Sequence, residues 1–164
     1  MRGVTVASHV FQRASGARVK VDAEALARML GFRQIAAHHV EAGGVLLGRH
    51  LMACEDVVID EVTLPMSGDR RSRLRFHRAR EQHQQAIDTR WQESQGTCLY
   101  LGEWHTHPEL CPTPSRVDID DWSRRLREDQ FEGESLLFLI VGTHAVGAWE
   151  GLRNSGEIQP LRPL

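Results

Sequence analysis

Strand-length apolar runs alternate along this chain with stretches of helical spacing, and that alternation limits the folds open to it more than any other feature. Val4 to Phe11 reads as a short first strand. Asp22 is a candidate N-cap, and Leu26, Met29, Leu30 and the residues from Arg33 to Ala37 follow at helical spacing. The first helix is therefore expected to run to near His39, ahead of Gly43 and Gly44. Val45 to Ala53 and Val57 to Leu64 read as a hairpin turning at Glu55 and Asp56, and Pro65 to Leu74 as a loop. A second helix is expected from Arg78 to Glu93, a strand from Thr97 to His107, and a proline-rich loop from Pro108 to Pro114. Ser115 opens a third helix reaching Gln130, and Leu136 to Gly142 with Ala145 to Glu150 make a final hairpin. The order β, α, ββ, α, β, α, ββ describes an α/β chain, a mixed sheet with helices packed on it. No repeat or low-complexity tract interrupts it, and 164 residues is a one-domain length, so residues 1–164 are read as a single unit.

Composition removes several function classes. Apolar residues make up 41% and charged residues 26%, an ordinary globular balance. A net charge of −2 gives no global field to gather nucleic acid or an anionic membrane. The longest apolar run, Leu136 to Val141, is far short of the roughly 18 residues of a spanning helix. Met1 to Gly16 lacks the sustained apolar stretch of a secretory leader. Cys54, Cys98 and Cys111 share no C-x-x-C spacing, which argues against a disulfide framework or a cysteine-rich zinc module and fits a reducing cytoplasm. Nine histidines invite a search for a metal site. Lys20 is the sole lysine, so the other nineteen of the twenty basic residues are Arg, a skew that GC-rich coding accounts for.

The segment that carries chemistry is Gly102-Glu103-Trp104-His105-Thr106-His107-Pro108, followed by Pro114-Ser115-Arg116-Val117-Asp118. Side chains alternate faces along a strand, so His105 and His107 point the same way, about 6.5–7 Å apart along it. Pro108 ends the strand there, which puts the pair at the rim of the sheet. Asp118, in the first turn of the next helix, can fold back over the strand end. Two imidazoles and a carboxylate, with a water, make a tetrahedral zinc site with one open position, the arrangement of catalysis rather than scaffolding. Ser115-x-x-Asp118 also reads as a capping box.

His105-x-His107, seven residues, Ser115, two residues and Asp118 resembles the JAMM motif of JAB/MPN-domain metallo-isopeptidases, with the same spacing. That family places a glutamate upstream, at the end of its first helix and before a glycine-containing strand, and Glu41 in Glu41-Ala42-Gly43-Gly44-Val45-Leu46-Leu47-Gly48 stands there. The resemblance spans about Val19 to Glu150 and implies a curved mixed sheet flanked by helices, related to cytidine deaminases. It implies one zinc ion per chain on His105, His107 and Asp118, Glu41 as general base, and Ser115 as the group that steadies the oxyanion or the reactive water. Longer insertions of the eukaryotic deubiquitinases have little room here, so the chain is similar to the compact prokaryotic branch. Within it, Gly-Glu-Trp-His-Thr-His-Pro, Pro-Ser-x-x-Asp, Trp122 and the Arg-rich Arg70 to Arg80 segment are similar to deconjugases encoded beside E1- and E2-like proteins in bacterial antiphage operons. The implied substrates are a ubiquitin-like modifier, or the C-terminal tail of a CD-NTase in CBASS, joined to a target protein. Trimming a sulfur-carrier ubiquitin-like protein and a non-catalytic scaffold are the other readings.

Three further features carry expectations. A carboxylate at a helix C-terminus opposes the macrodipole, which makes Glu41 a costly residue there unless it has a function. Glu103 shares the face of the histidines, and it is the rival base or the partner of an arginine. Cys111 lies between the ligands and is read as a packing residue ahead of a fourth ligand or reactive thiol. Arg70, Arg71, Arg73, Arg75, Arg78 and Arg80 form a basic run without a nearby acid, but the chain lacks the overall positive charge and interleaved aromatics expected of a nucleic-acid binder. In the family this region borders the groove for an extended substrate tail, so Arg71, Arg73 and Arg75 are expected to bind substrate, with strand addition as the recognition mode.

Overall fold

The computed structural model describes residues 6–164, so the start of the expected first strand, Val4 and Thr5, lies outside the described residues. The elements are β1 (His9–Gln12), β2 (Arg18–Val21), α1 (Ala23–Leu30), β3 (Gly43–His50), β4 (Val57–Val62), β5 (Arg70–Ser72), β6 (Arg75–His77) and α2 (Arg80–Glu93). They continue with β7 (Leu99–Thr106), α3 (Arg116–Glu128), β8 (Ser135–Val141), β9 (Val146–Leu152), β10 (Ile158–Pro160) and β11 (Arg162–Pro163). Nine strands form one mixed sheet in the order β10-β9-β8-β7-β3-β4-β2-β1-β11, and β5 with β6 forms a separate ribbon. The β2–β4 and β7–β8 pairs are parallel, and α3 crosses over between β7 and β8.

Helical spacing carried the first helix too far. It stops at Leu30, where the Gly31 amide donates to the Ala27 carbonyl and the Phe32 amide to that of Met29. The apolar and amide residues beyond it answer to tertiary partners instead. Phe32 packs near Trp104, and Gln34 is buried at 2% exposure against the sheet. Glu41 therefore stands in an irregular approach to β3 and not at a helix end, and the macrodipole argument does not apply to it. Asp22 occupies the N-cap position without capping, because its carboxylate pairs with Lys20 at 2.9 Å. The expected loop of residues 65–74 contains β5, whose all-exposed Arg-Arg-Ser sequence carries no apolar alternation.

Each face of the sheet has its own core. One cluster gathers Phe11, Val19, Leu46, Ile59, Leu101, Trp104, Leu139 and Leu161 around Leu26 and Met29 of α1. The other packs Val45, Leu47, Tyr100, Phe138 and Ile140 under Trp122 and Leu126 of α3, with Ile87 of α2 at its margin. A bulge in β7 lets Leu101 and Trp104, three apart, serve the same core. Gly102 sits there at φ 147°, and a Cβ on it would come within 1.7 Å of the Leu137 carbonyl oxygen.

The sheet closes on itself. Residues 158–160 pair with β9, residues 162–163 pair with β1, and Leu161 between them enters the first core. A buried ion pair ties the same two regions, since Arg13 donates from Nε and Nη2 to Glu150 Oε1 at 2.9 and 2.6 Å. Glu150 is 2% exposed, so the pair is shielded from water. Replacing Arg13→Met would leave that carboxylate buried alone, and urea unfolding should show a loss of about 3 to 5 kcal/mol. A loss under about 1 kcal/mol, the level of a surface pair, would mean that it does not fasten the two ends.

Candidate metal centre

The site is assembled where β7 ends and α3 begins, at the C-terminal end of the parallel β7–β8 pair. Ser115 is the N-cap of α3, and its Oγ accepts from the Asp118 amide at 3.1 Å. Asp118 Oδ2 accepts from the Ser115 amide at 2.6 Å, so the expected capping box is complete. That box fixes the Asp118 carboxylate over the strand end, where Oδ1 lies 3.1 Å from His105 Nε2 and Oδ2 lies 3.2 Å from His107 Nε2. The two Nε2 atoms are 3.1 Å apart. Among the described residues these three side chains are the group that could hold a metal ion.

The shape suits a small tetrahedral ion. Bonds of about 2.0–2.1 Å give a tetrahedron whose edges are about 3.3 Å, close to the 3.1 Å between the two ring nitrogens and to the 3.1 and 3.2 Å from each of them to its nearer Asp118 oxygen. Two ring nitrogens facing each other and one carboxylate also make the borderline nitrogen–oxygen set that zinc accepts. Burial alone would raise the Asp118 carboxyl, but hydrogen bonds from His105 and His107 outweigh it and hold it far below the usual carboxylate range. Trp122, one turn further along α3, backs His105 at 6.2 Å between ring centres and stacks on Phe138 at 4.6 Å.

Glu41 shares the cleft with this triangle, and its side chain is buried. Desolvation pushes its carboxyl up to about 7, against the lowering pull of His105 and His107. A carboxylate poised near neutrality is what proton transfer at physiological pH requires. Its backbone is held at both ends by the ribbon: its amide donates to the Ser72 carbonyl at 2.7 Å, and its carbonyl accepts from Arg71 Nε at 2.7 Å. Gly43 lets the ribbon approach so closely, because a Cβ there would fall 2.6 Å from the Phe76 ring.

The remaining expected residues divide. Of the three arginines assigned to substrate, Arg75 borders the cleft, while Arg71 bonds the Glu41 carbonyl and Arg73 bonds those of Ala36 and Ala37. Glu103 takes the arginine-partner role, accepting from Arg78 at 2.9 and 2.5 Å with Arg125 at 3.3 Å. Cys111 is exposed and outside the ligand group. The cleft holds about 410 Å³ and is also lined by Leu74, Ser115 and Val117.

Thr106 was missed, although it lies between the two histidines. It points to the opposite face and is fully buried. Its Oγ1 accepts from the Ala42 amide at 2.9 Å and donates to Gln34 Oε1 at 2.9 Å, and its own amide donates to the Ala42 carbonyl at 2.9 Å. A hydroxyl inside a strand bound for a core must find partners, and that requirement was its signal. Thr106→Val should strand two buried polar groups, lower unfolding stability by about 1–3 kcal/mol, and slow turnover with metal retained. Thr106→Ser should recover most of both. Unchanged stability and turnover in Thr106→Val would show that this contact does not place Glu41.

A family model for prokaryotic homologues of the JAB domain matches residues 23–154. A Vibrio cholerae serotype O1 protein named CD-NTase/cGAS isopeptidase is 40% identical over 139 residues, covering 81% of this chain and 81% of its own. An Escherichia coli (strain TW11681) protein of the same name is 33% identical over 144 residues, covering 88% of this chain and 87% of its own. A solution structure of a Desulfitobacterium hafniense protein shares the fold, with a TM-score of 0.56 at 23% identity over 85% of this chain and 87% of that one. The chain belongs to the prokaryotic JAB-domain family.

Proposed function

We propose that this chain is a zinc-dependent isopeptidase that hydrolyses the bond between a modifier's C-terminal carbonyl and a target amine. The observation that carries this reading is the ligand triangle of His105, His107 and Asp118 sharing one cleft with the buried carboxylate of Glu41. The two curated relatives, both named CD-NTase/cGAS isopeptidases, support a CD-NTase tail as the modifier in a CBASS conjugation system. E1- and E2-like proteins are then the partners that make the conjugate. The three free cysteines fit a bacterial cytoplasm, and among the described residues no helix is long and apolar enough to cross a membrane.

A zinc ion held by His105, His107 and Asp118 would act as a Lewis acid toward water and the scissile carbonyl. Glu41 takes a proton from the attacking water and passes it to the departing amine, a double use that a carboxyl near pH 7 permits. Ser115 Oγ has one lone pair engaged by the Asp118 amide, which leaves its hydroxyl hydrogen free to meet the oxyanion. Arg75 contacts the tail in the cleft, while Arg71 and Arg73 complete that wall by holding the segment that carries Glu41.

Metal analysis of the purified protein should find about one zinc per chain. On a CD-NTase conjugate, Glu41→Gln should keep zinc and slow cleavage by about 10²–10⁴. His107→Ala should lose both zinc and cleavage, and chelation should stop the parent protein. Cleavage by Glu41→Gln at the parent rate would remove Glu41 as base. Ser115→Ala should cost about 10²–10³ in turnover if its hydroxyl meets the oxyanion.

A further inference from the structure

The ribbon that clamps Glu41 has a second face. Its register sets Arg70 opposite His77 and Ser72 opposite Arg75. Strand alternation places those four side chains together, away from the face on which Arg71 and Phe76 meet the catalytic segment. Arg70 and Arg75 are diagonal neighbours on this face, so two guanidinium groups stand near each other across the ribbon. Nothing neutralises them, since among the described residues none of Arg70, Arg71, Arg73 or Arg75 enters an ion pair. The other arginines near the cleft are engaged, Arg78 and Arg125 by Glu103 and Arg124 by Asp121 at 2.6 Å. A concavity of about 320 Å³ lies over this cluster, lined by Arg70, Arg71, Ser72, Arg75 and His77. Arg75 and His77 also line the catalytic cleft, so the two hollows share a wall.

We propose that the Arg70, Ser72, Arg75 and His77 face of the ribbon is an anion subsite that receives acidic side chains of the protein segment leading to the scissile bond. The inference rests on the isopeptidase reading and adds the chemical class of substrate selected. Arginine forks and a serine hydroxyl are donors matched to carboxylates. A peptide fits better than a nucleic acid, because no Phe, Tyr or Trp lines the hollow for base stacking and the chain as a whole carries a net charge of −2. The subsite lies on the same ribbon that holds the Glu41 backbone, so an occupied subsite restrains the strand that positions the base.

The test uses the zinc-loaded full chain carrying Glu41→Gln, with short labelled peptides read by fluorescence anisotropy. A glutamate-rich peptide should bind about tenfold tighter than its glutamine counterpart at low salt, and the gap should shrink as salt rises. In the background of Arg70→Ser with Arg75→Ser the two peptides should bind alike, while circular dichroism confirms folding. Equal binding of the two peptides by the parent chain would overturn the subsite, as would an undiminished preference in the double variant. Tighter binding of a single-stranded oligonucleotide than of the acidic peptide would also overturn it, in favour of nucleic acid. Acidic preference without cleavage of any CD-NTase conjugate would sink the isopeptidase reading and leave the subsite standing. Cleavage of the conjugate with no acidic preference would do the reverse.

Discussion

The placement of the base beside its metal ligands depends on one buried hydroxyl. Thr106 stands on the strand that carries both histidines, and its side chain grips Ala42, the neighbour of Glu41. One backbone hydrogen bond and one hydroxyl thus set the spacing between proton acceptor and ligands. Gln34 extends the same network to the ribbon by donating to the Arg73 carbonyl at 2.7 Å. Base, ligands and ribbon share one frame because their polar groups, out of reach of water, have only each other as partners.

The ligand triangle is held differently. A strand end, a helix cap and a wall of aromatic rings support it, and none of these needs the segment bearing Glu41. The capping box restrains the carboxylate of Asp118 through its own backbone, so the charge faces the histidines before any ion arrives. The positive end of the α3 dipole favours the ionised carboxylate at that position. Organisation in advance is the physical route to affinity here, since little ordering remains to oppose binding.

Local features were legible in the sequence, and remote ones were not. His105, His107, Ser115 and Asp118 follow from period-two alternation and a cap, rules that act within a few residues. Glu41 was found by its resemblance to a family pattern but placed on the wrong element, because Arg33 to Ala37 mimic helical spacing while Gln34 among them serves a tertiary partner. The Thr106–Gln34 bond spans 72 positions, and no local pattern reports it. The family's tail groove marked Arg71 and Arg73 as substrate-binding residues, yet which carbonyl each one meets is settled by the fold. Strands of two or three residues, such as β5, β6, β10 and β11, are too short for alternation to declare them.

Closure of the large sheet by residues 158–163 has a kinetic side. Those residues meet β1 from the opposite end of the chain, so the contact has nearly the longest sequence separation available. Such contacts form late, after the entropy of a long loop has been overcome. Until then β1 and β9 both present bare backbone amides and carbonyls, a template for pairing with a neighbouring chain. The catalytic strand β7 lies at the middle of the sheet, flanked by β3 and β8. A half-finished molecule therefore hides its chemistry-bearing strand and shows its margins, and its hazard while folding is association through those margins.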